Sequence, residues 1–389
     1  MPKTMVDDSA LSRCVTDGVA TFPPTIASLK RFAVLAMAYG LALAGAAIAQ
    51  TLHVPLAGVL GALTVSAILA FSGFELNPPD ALRKVGQTTI GAGIGLHVTA
   101  AVAVQVFALL PAMVLAALLS VALSAVLSVP LGRLARLDHS TAFFSMIPGG
   151  LAEMGNVGTR YGADPEPIAV MQALRVAIVV ILLPPLLILS EHAKPAAIHA
   201  PLPLLPAMLL IAGCLVAAFV FRVIRLNNPW MLGAVLLSGT LTATGLADGE
   251  MPWPLFFGAQ VILGFAIGSR FKRNRMRKLP QAILCFCAML LVLMALTSAM
   301  AVVAQGLLGQ PFGTMLLSLS PGGMSEMSTT AQVLGLGAAI VTGFHVVRTF
   351  FVNGFAGHIW ILLSRMGFHA AGNRLWDRVF KTGGRDPDA

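Results

Sequence analysis

Charged residues are scarce in this sequence. Of its 389 residues, 25 are Lys or Arg and 16 are Asp or Glu, so 11% are charged, whereas a soluble domain carries about a quarter. Cysteine is rare as well. Of the four cysteines, Cys214, Cys285 and Cys287 fall inside apolar runs, and Cys14 does not. This predicts small buried side chains rather than a disulfide or metal site. This composition excludes an ordinary soluble globular protein.

Long apolar runs take the place of the missing charge. Hydrophobic residues make up 57% of the chain, and runs of about 20 residues recur, for example at 32–49, 102–129, 168–190, 202–220 and 282–304. Each run is long enough to cross a hydrocarbon core about 30 Å thick. The sequence therefore predicts an all-α polytopic membrane protein whose main partner is the lipid bilayer.

The net charge of +9 raises the alternative of nucleic-acid binding. However, the basic residues lie in short stretches between apolar segments, such as RFKRNRMRK at Arg270–Lys278, and not in a folded polar domain. Orientation in a membrane explains this distribution better, because cytoplasmic loops are rich in Lys and Arg. We therefore predict no nucleic-acid partner.

The sequence is internally duplicated with a constant offset of 173 residues. Rare residues coincide under this shift: Gln87, Gly91 and Gly95 fall on Gln260, Gly264 and Gly268; Pro148, Gly149, Gly150, Glu153 and Met154 fall on Pro321, Gly322, Gly323, Glu326 and Met327; Arg175 falls on Arg348. Since Gln, Glu and Arg are uncommon here, one shared offset indicates two copies of one unit.

Each copy contains five apolar segments and one segment interrupted by Pro-Gly-Gly. The predicted apolar segments are 32–50, 54–73, 85–98, 102–131 and 167–190 in the first copy and 203–221, 229–246, 255–269, 279–304 and 331–364 in the second, with interruptions near 141–157 and 312–328. The predicted divisions are a polar N-terminal tail 1–30, repeat 1 at 31–190, a linker 191–202, repeat 2 at 203–365 and a basic C-terminal tail 366–389. The segment at 32–50 resembles a cleavable signal, but its counterpart at 203–221 favours a retained helix.

Loop charge predicts that the Pro-Gly-Gly segment does not cross the membrane. If it re-enters, each copy crosses five times, the N-terminus is cytoplasmic, and nearly all basic groups lie on one side. If it crosses, the Arg270–Lys278 cluster moves to the opposite side. An odd number of crossings inverts the second copy, so the fold class is two inverted repeats of five transmembrane helices, a pattern typical of transporters.

The Pro-Gly-Gly segments are predicted to break a helix that restarts near Leu151 in the first copy. Irregular backbone at membrane depth is tolerated where it is buried in protein or lines a watery cavity. Glu153 and Glu326 fall in the first turn of the restarted helices. A cap contributes about 1 kcal/mol, whereas a charge in the bilayer costs at least about 2.5–3.5 kcal/mol, so we favour a proton or cation site over capping alone. The free N–H groups of the same helix ends suit an anionic group.

One arginine per copy lies inside an apolar span. Arg175 follows Gln172 by three residues and Arg348 follows His345 by three, so each pair shares a helix face. Two roles stay open for the arginines: an ion pair with Glu153 or Glu326, or bidentate binding of a substrate carboxylate or phosphonate. For His345, a fixed hydrogen bond is favoured over titration near neutral pH.

These residues form the predicted substrate- or ion-binding set: Pro148, Gly149, Gly150, Glu153, Gln172, Arg175, Pro321, Gly322, Gly323, Glu326, His345 and Arg348. The Gln87-Gly91-Gly95 face and its copy predict close helix packing, because small residues recur at four-residue spacing. Asn228-Pro229-Trp230 predicts a helix start with an interfacial aromatic anchor and no chemistry.

With the doubled PGGxxEM motif, the Q-x3-G-x3-G face and the following arginine, the chain resembles the AbrB-duplication family of bacterial membrane proteins over about residues 32–365. That family is also catalogued under an ammonia monooxygenase label, so the resemblance implies gene regulation or ammonia oxidation. A copper oxygenase needs clustered nitrogen ligands, whereas the eight histidines are scattered, and we predict no cofactor, no metal and no enzyme activity. Neither tail is long enough for a DNA-reading domain, so any effect on transcription would be indirect.

The sequence hypothesis is a secondary transporter of a small polar or anionic solute in the bacterial inner membrane, coupled to H⁺ or Na⁺. The chain has no nucleotide-binding P-loop, which argues against ATP as the driving force. The alternative is a membrane-embedded ligand sensor that regulates gene expression indirectly, and an enzyme is the weakest hypothesis. The expected partner is a small molecule or ion, and a homo-oligomer is left open.

Overall fold

A computed structural model describes residues 26–190, 200–224, 226, 228–369, 371, 372, 374 and 376. These residues form sixteen α-helices. The first eight are α1 Ile26–Thr51, α2 Ala57–Phe71, α3 Asp80–Gly95, α4 Ala100–Ala108, α5 Leu110–Ala135, α6 His139–Met146, α7 Leu151–Thr159 and α8 Pro165–Ser190. The second eight are α9 Leu204–Val223, α10 Pro229–Ala243, α11 Trp253–Gly268, α12 Arg273–Lys278, α13 Pro280–Leu308, α14 Phe312–Leu319, α15 Met324–Val333 and α16 Ala338–Arg365.

The two sets of eight helices follow the sequence duplication. Adding 173 to the first residue of α4, α6 or α7 gives the first residue of α12, α14 or α15. Contacts repeat in the same way, because α1 packs on α2 as α9 packs on α10, and α7 packs on α8 as α15 packs on α16. The duplicated unit is therefore a unit of structure as well as of sequence.

Within the described residues, seven helical segments are long and apolar enough to cross a membrane, with mean hydropathy from 1.3 to 2.6: 33–51, 110–135, 165–188, 204–223, 253–278, 280–308 and 338–365. An eighth is obtained if α3 and α4, which meet at a bend of 101°, form one broken span. The two other apolar helices, α2 and α10, have 15 residues each and so are only about 22 Å long. The chain is thus a multi-pass membrane protein with seven or eight candidate spans, fewer than the ten of the sequence prediction.

The helices pack as two bundles, each of which contains corresponding helices from both copies. In the first bundle, α2 packs on α11 and α3 on α10, with α1 and α9 outside them. In the second bundle, α5 packs on α13 and α16, while the short helices α6, α7, α14 and α15 pack on α8 and α16. Fewer contacts join the bundles, chiefly those of α15 and α16 with α3 and of α8 with α2 and α11.

The repeated glycines hold the first bundle together, as predicted. A Cβ atom on Gly91 would lie 2.8 Å from the carbonyl oxygen of Met231, and one on Gly95 would lie 2.6 Å from the Cβ of Ser238. In the reciprocal contact, a Cβ on Gly264 would meet the backbone of Val59. Because the glycines of one copy face helices of the other, the close packing joins the copies.

Several predicted boundaries need correction. The predicted segment 102–131 is two helices, since α4 ends at Ala108 and α5 begins at Leu110. The last predicted segment, 331–364, is also divided, because α15 ends at Val333 and α16 begins at Ala338. Helix α1 begins at Ile26, inside the predicted N-terminal tail. Residues 1–25, which include Cys14, residues 191–199 of the linker and most of the C-terminal tail lie outside the described residues.

Candidate functional site

Both Pro-Gly-Gly motifs break a helix, as the sequence predicts. Helix α6 ends at Met146 and α7 begins at Leu151, with Ile147 (ψ 131°) and Gly150 (ψ 143°) in extended conformation. In the second copy, α14 ends at Leu319 and α15 begins at Met324, with extended residues at equivalent positions. Each break therefore exposes the carbonyl end of one short helix and the N–H end of another.

In the first copy, side chains of α8 satisfy the exposed carbonyl groups. Arg175 donates through Nη1 to the carbonyl oxygen of Ile147 and through Nη2 to that of Gly149, both at 3.0 Å. Gln172 donates through Nε2 to the carbonyl oxygens of Phe144 and Ile147, both at 2.9 Å. Since no water is available in a bilayer core to bind these groups, the two side chains allow the helix to break there.

The second copy repeats this arrangement. Arg348 donates to the carbonyl oxygens of Ser320 and Gly322. His345 lies 2.9 Å through Nε2 from the carbonyl oxygen of Leu317, and because a carbonyl only accepts, this nitrogen carries the hydrogen. The hydrogen bond favoured for His345 is present, and its place in the substrate- or ion-binding set stays a prediction.

The arginines thus have a role that the sequence did not suggest. Both are buried, with 3% of Arg175 and 5% of Arg348 exposed, and neither forms an ion pair with a residue in the described ranges. The ion pair with Glu153 or Glu326, one of the two roles left open for the arginines, is therefore not formed in this structure. The guanidinium groups bind the backbone of the break, and the role of binding a substrate stays a prediction.

A cavity of about 340 Å³ lies between the two bundles, and both breaks reach it. We call it the central cavity. Ten of the twelve predicted site residues line it: Pro148, Gly149, Gly150, Glu153, Gln172, Arg175, Gly322, Gly323, Glu326 and Arg348. Pro321 and His345 are buried behind it and are not among its lining residues. Its volume is at the lower end of the range of ligand sites, about 300–1,000 Å³.

The two glutamates fold back over the last glycine of each motif, but they differ in exposure. A Cβ atom on Gly150 would meet the carboxylate of Glu153, and one on Gly323 would meet that of Glu326. Glu326 is only 9% exposed, whereas Glu153 is exposed. The N-cap residues of α7 and α15 are Gly150 and Gly323, which have no side chain that could cap, and the choice of an ion site over capping by the glutamates stays a prediction. Within the described residues neither carboxylate has a hydrogen-bond or ion-pair partner.

The cavity also contains polar residues that the sequence analysis did not assign to the site. Gln87, interpreted as a packing residue, lines the cavity, and so do Asn228, Trp230 and, from α16, Asn353. Asn228 has left-handed backbone torsions (φ 50°), and it places the start of α10 against the cavity. The sequence did contain one signal, since Gln87 was the only polar member of a face otherwise made of small residues.

Arg83 and Arg270 line the cavity too, although the sequence analysis interpreted the basic residues between apolar segments only as signals of membrane orientation. With Arg175 and Arg348 they bring four guanidinium groups to a cavity that has two carboxylates, Glu153 and Glu326. The excess of two positive charges, with all groups ionised, favours an anionic occupant.

No group of three His, Cys, Asp or Glu side chains close enough to hold a metal ion occurs among the described residues. The histidines that do approach each other, His139 and His369, have stacked rings 5.0 Å apart, outside the central cavity.

Comparison with known proteins places this architecture in context. A family model described as "Transition state regulatory protein AbrB" matches the chain twice, over residues 9–131 and 70–363. The chain is similar to the "Putative regulator AbrB" of Escherichia coli (strain K12), with 27% identity over 77% of this chain and 87% of that protein. It is also 27% identical to the "Uncharacterized protein YhjN" of Bacillus subtilis (strain 168), over 57% of this chain. That match spans 63% of the length of the Bacillus protein.

Proposed function

The chain belongs to the AbrB family, and from its central cavity we propose that it is a secondary carrier for a small anion, coupled to H⁺ or Na⁺. The observation that carries the proposal is the meeting of two broken helices, two glutamates and four arginines in one cavity between two bundles. Broken helices that line a central site are typical of secondary transporters.

The proposed coupling is electrostatic. Ionised Glu153 and Glu326 lower the positive potential of the cavity, and the charge on the buried Glu326 costs at least about 2.5–3.5 kcal/mol at membrane depth. Binding of a proton or Na⁺ neutralises a carboxylate, so the arginines and the N–H ends of α7 and α15 then attract an anion more strongly. An anion and a cation therefore stabilise each other in the cavity, as cotransport requires.

We propose that the two copies are inverted repeats at 31–190 and 203–365, with the N-terminus in the cytoplasm of a bacterium and the protein in its inner membrane. Five crossings per copy require the short helices α2, α3 and α10 to cross as well, although α2 and α10 have only 15 residues. Two things support this: many residues of α2 and α3 are buried against other helices and not against lipid, and the basic residues then lie mainly on one side.

Movement of one bundle against the other would provide alternating access. The cavity lies between the bundles, while each bundle is internally joined by contacts between both copies. The difference between exposed Glu153 and buried Glu326 fits a state that is open on the side of α7 and closed on the side of α15.

The test begins with an anion panel. Monocarboxylates, dicarboxylates, inorganic phosphate and sulfate are screened for thermal stabilisation of the purified protein, and the compound that acts at the lowest concentration is then used in proteoliposomes. We expect uptake of that compound to rise when a proton or sodium gradient is imposed. Glu326→Gln, alone and with Glu153→Gln, should bind the anion but lose the response to the gradient, because a neutral amide imitates the cation-bound carboxylate.

The matched control is Glu166→Gln, since Glu166 lies in the first turn of α8 and does not line the cavity. It should respond to the gradient as the parent does. A double variant that accumulates the anion at the parent rate under the same gradient would show that the glutamates are not the coupling groups.

A membrane-embedded ligand sensor is the second candidate, favoured by the word "regulator" in the name of the Escherichia coli relative. Binding of the panel anion at the central cavity without uptake under any gradient would support it. We propose no enzyme activity for this cavity, in line with the sequence hypothesis.

A further inference from the structure

A second cavity of about 290 Å³ adjoins the central cavity where α3 begins and α11 ends. We call it the vestibule. Arg83 and Arg270 line both cavities, so these two side chains lie where one meets the other. Lys272 and Arg275 line only the vestibule, together with Asn77 and Asp80.

The vestibule has a strong excess of positive charge. Its acid, Asp80, is 3.3 Å from Arg83 and is already paired with it. Arg270, Lys272 and Arg275 form no ion pair within the described part of the chain, and all three are exposed. Three unpaired cations around a concave surface concentrate anions, because low-dielectric walls focus the field.

In the duplicated structure, the connection between α11 and α12 carries this positive charge, and the equivalent connection between α3 and α4 does not. Under the 173-residue shift, Arg270 corresponds to His97, and Lys272 and Arg275 correspond to Thr99 and Val102. Likewise Arg83 corresponds to Phe256. The connection between α3 and α4 thus lacks the charge that its counterpart between α11 and α12 carries.

We propose that the vestibule is a separate binding site for small oxyanions, carboxylate or phosphate in class, which delivers them past Arg83 and Arg270 to the central cavity from one side only. The inference rests on the proposed function for the destination of the anion, but not for its binding in the vestibule. The anion is bound first by Lys272 and Arg275 and then passes between the two shared arginines.

The test measures the electrostatic potential of the vestibule directly. The native cysteines are replaced by alanine, and Asn77→Cys is introduced, because Asn77 is exposed and lines the vestibule. The thiol is then modified with a negatively charged and with a positively charged methanethiosulfonate of similar size. We expect the negatively charged reagent to modify the thiol faster than the positively charged one. We also expect inorganic phosphate or succinate to slow the reaction of the negatively charged reagent.

Removing the cations should remove this preference. Lys272→Gln with Arg275→Gln should lower the ratio of the two modification rates about threefold at 0.1 M salt, and more at lower ionic strength. The control is Arg273→Gln with Arg277→Gln, which removes the same charge from the same segment at positions that do not line the vestibule. If the control lowers the ratio equally, the effect is general surface charge and the proposal is wrong.

Further experiments distinguish a soluble anion from a lipid headgroup, and they separate the vestibule proposal from the carrier proposal. In detergent without phospholipid, protection by phosphate or succinate supports a soluble anion; protection only in phosphatidylglycerol nanodiscs would assign the site to lipid headgroups and overturn delivery to the central cavity. Pro78→Cys repeats the measurement if Asn77→Cys does not fold. Since no transport is measured, a failure of the carrier hypothesis leaves this result intact, and the converse also holds.

Discussion

Arg175 and Arg348 are the residues on which both helix breaks depend. Each guanidinium binds two backbone carbonyl groups of the helix break in its own copy, and each is almost fully buried. Hydrogen bonds from a charged donor contribute about 1.5–3 kcal/mol, and a buried carbonyl left without a donor costs about 1–3 kcal/mol. The breaks are therefore stable because a planar, two-armed donor is available, which a lysine cannot imitate.

This predicts a loss of stability in Arg348→Lys. An ammonium can replace one of the two bonds, to Ser320 or Gly322, but not both in the same geometry. We expect the free energy of unfolding in detergent to fall by about 1.5–3 kcal/mol, measured by chemical or thermal denaturation. Arg160→Lys is the control, because Arg160 is exposed at the end of α7. Equal stability of the two variants would show that the two hydrogen bonds of Arg348 do not stabilise the helix break.

At the scale of helices, the first bundle is built on contacts that only glycine permits. A Cβ on Gly264 would meet backbone atoms of Val59, and backbone cannot move aside as a flexible side chain can. In a bilayer, such close packing replaces the hydrophobic driving force that is missing between helices. The contact between α2 and α11, and its counterpart between α3 and α10, therefore join the two copies.

This predicts that Gly264→Ala separates α2 from α11. Overpacking typically costs about 1–3 kcal/mol, and we expect a loss of that size in thermal or chemical unfolding. Gly258→Ala on the same helix is the matched control, because nothing lies within 4 Å of the added Cβ. That variant should be unchanged or more stable by up to about 1 kcal/mol, since alanine is the better helix former. Equal losses in both variants would argue against the close contact.

At the scale of the whole molecule, the proposed carrier depends on the opposite orientation of the copies. Equivalent positions should then be accessible from opposite sides of the membrane. Leu134, near the end of α5, and Leu307, near the end of α13, are separated by the repeat offset and are 39% and 79% exposed. They form a matched pair for labelling.

We predict that a membrane-impermeant maleimide added to intact cells labels Leu307→Cys, in a background with the native cysteines replaced, and leaves Leu134→Cys unlabelled until the cells are opened. Lys272→Cys is the internal reference, since it lies in the basic segment that we place in the cytoplasm. Labelling of both leucine positions from one side would refute the inverted repeats, and with them the alternating-access mechanism.

Much of the fold could be predicted from sequence, because the rare residues lie at the helix breaks and at the close helix contacts. In an apolar chain, Pro148 and its two glycines can only interrupt a helix, and the repeat offset makes the second break a prediction from the first. The breaks, the duplicated plan and the glycine packing follow from such local patterns. The division at Leu109 was missed, although Pro111, in the first turn of α5, is a sequence signal for a new helix start inside this apolar run.

The sequence by itself determined a membrane protein built from two copies of one broken-helix unit, because composition, periodicity and backbone-breaking residues act locally. Only the tertiary structure decided which groups face each other. It directed Arg175 and Arg348 to carbonyl groups instead of Glu153 and Glu326, and it brought Arg83 and Arg270 from loop positions to the cavity. The physical reason is that a side chain's partner depends on which helices become neighbours, and helices that are uniformly apolar do not encode their neighbours in their own pattern.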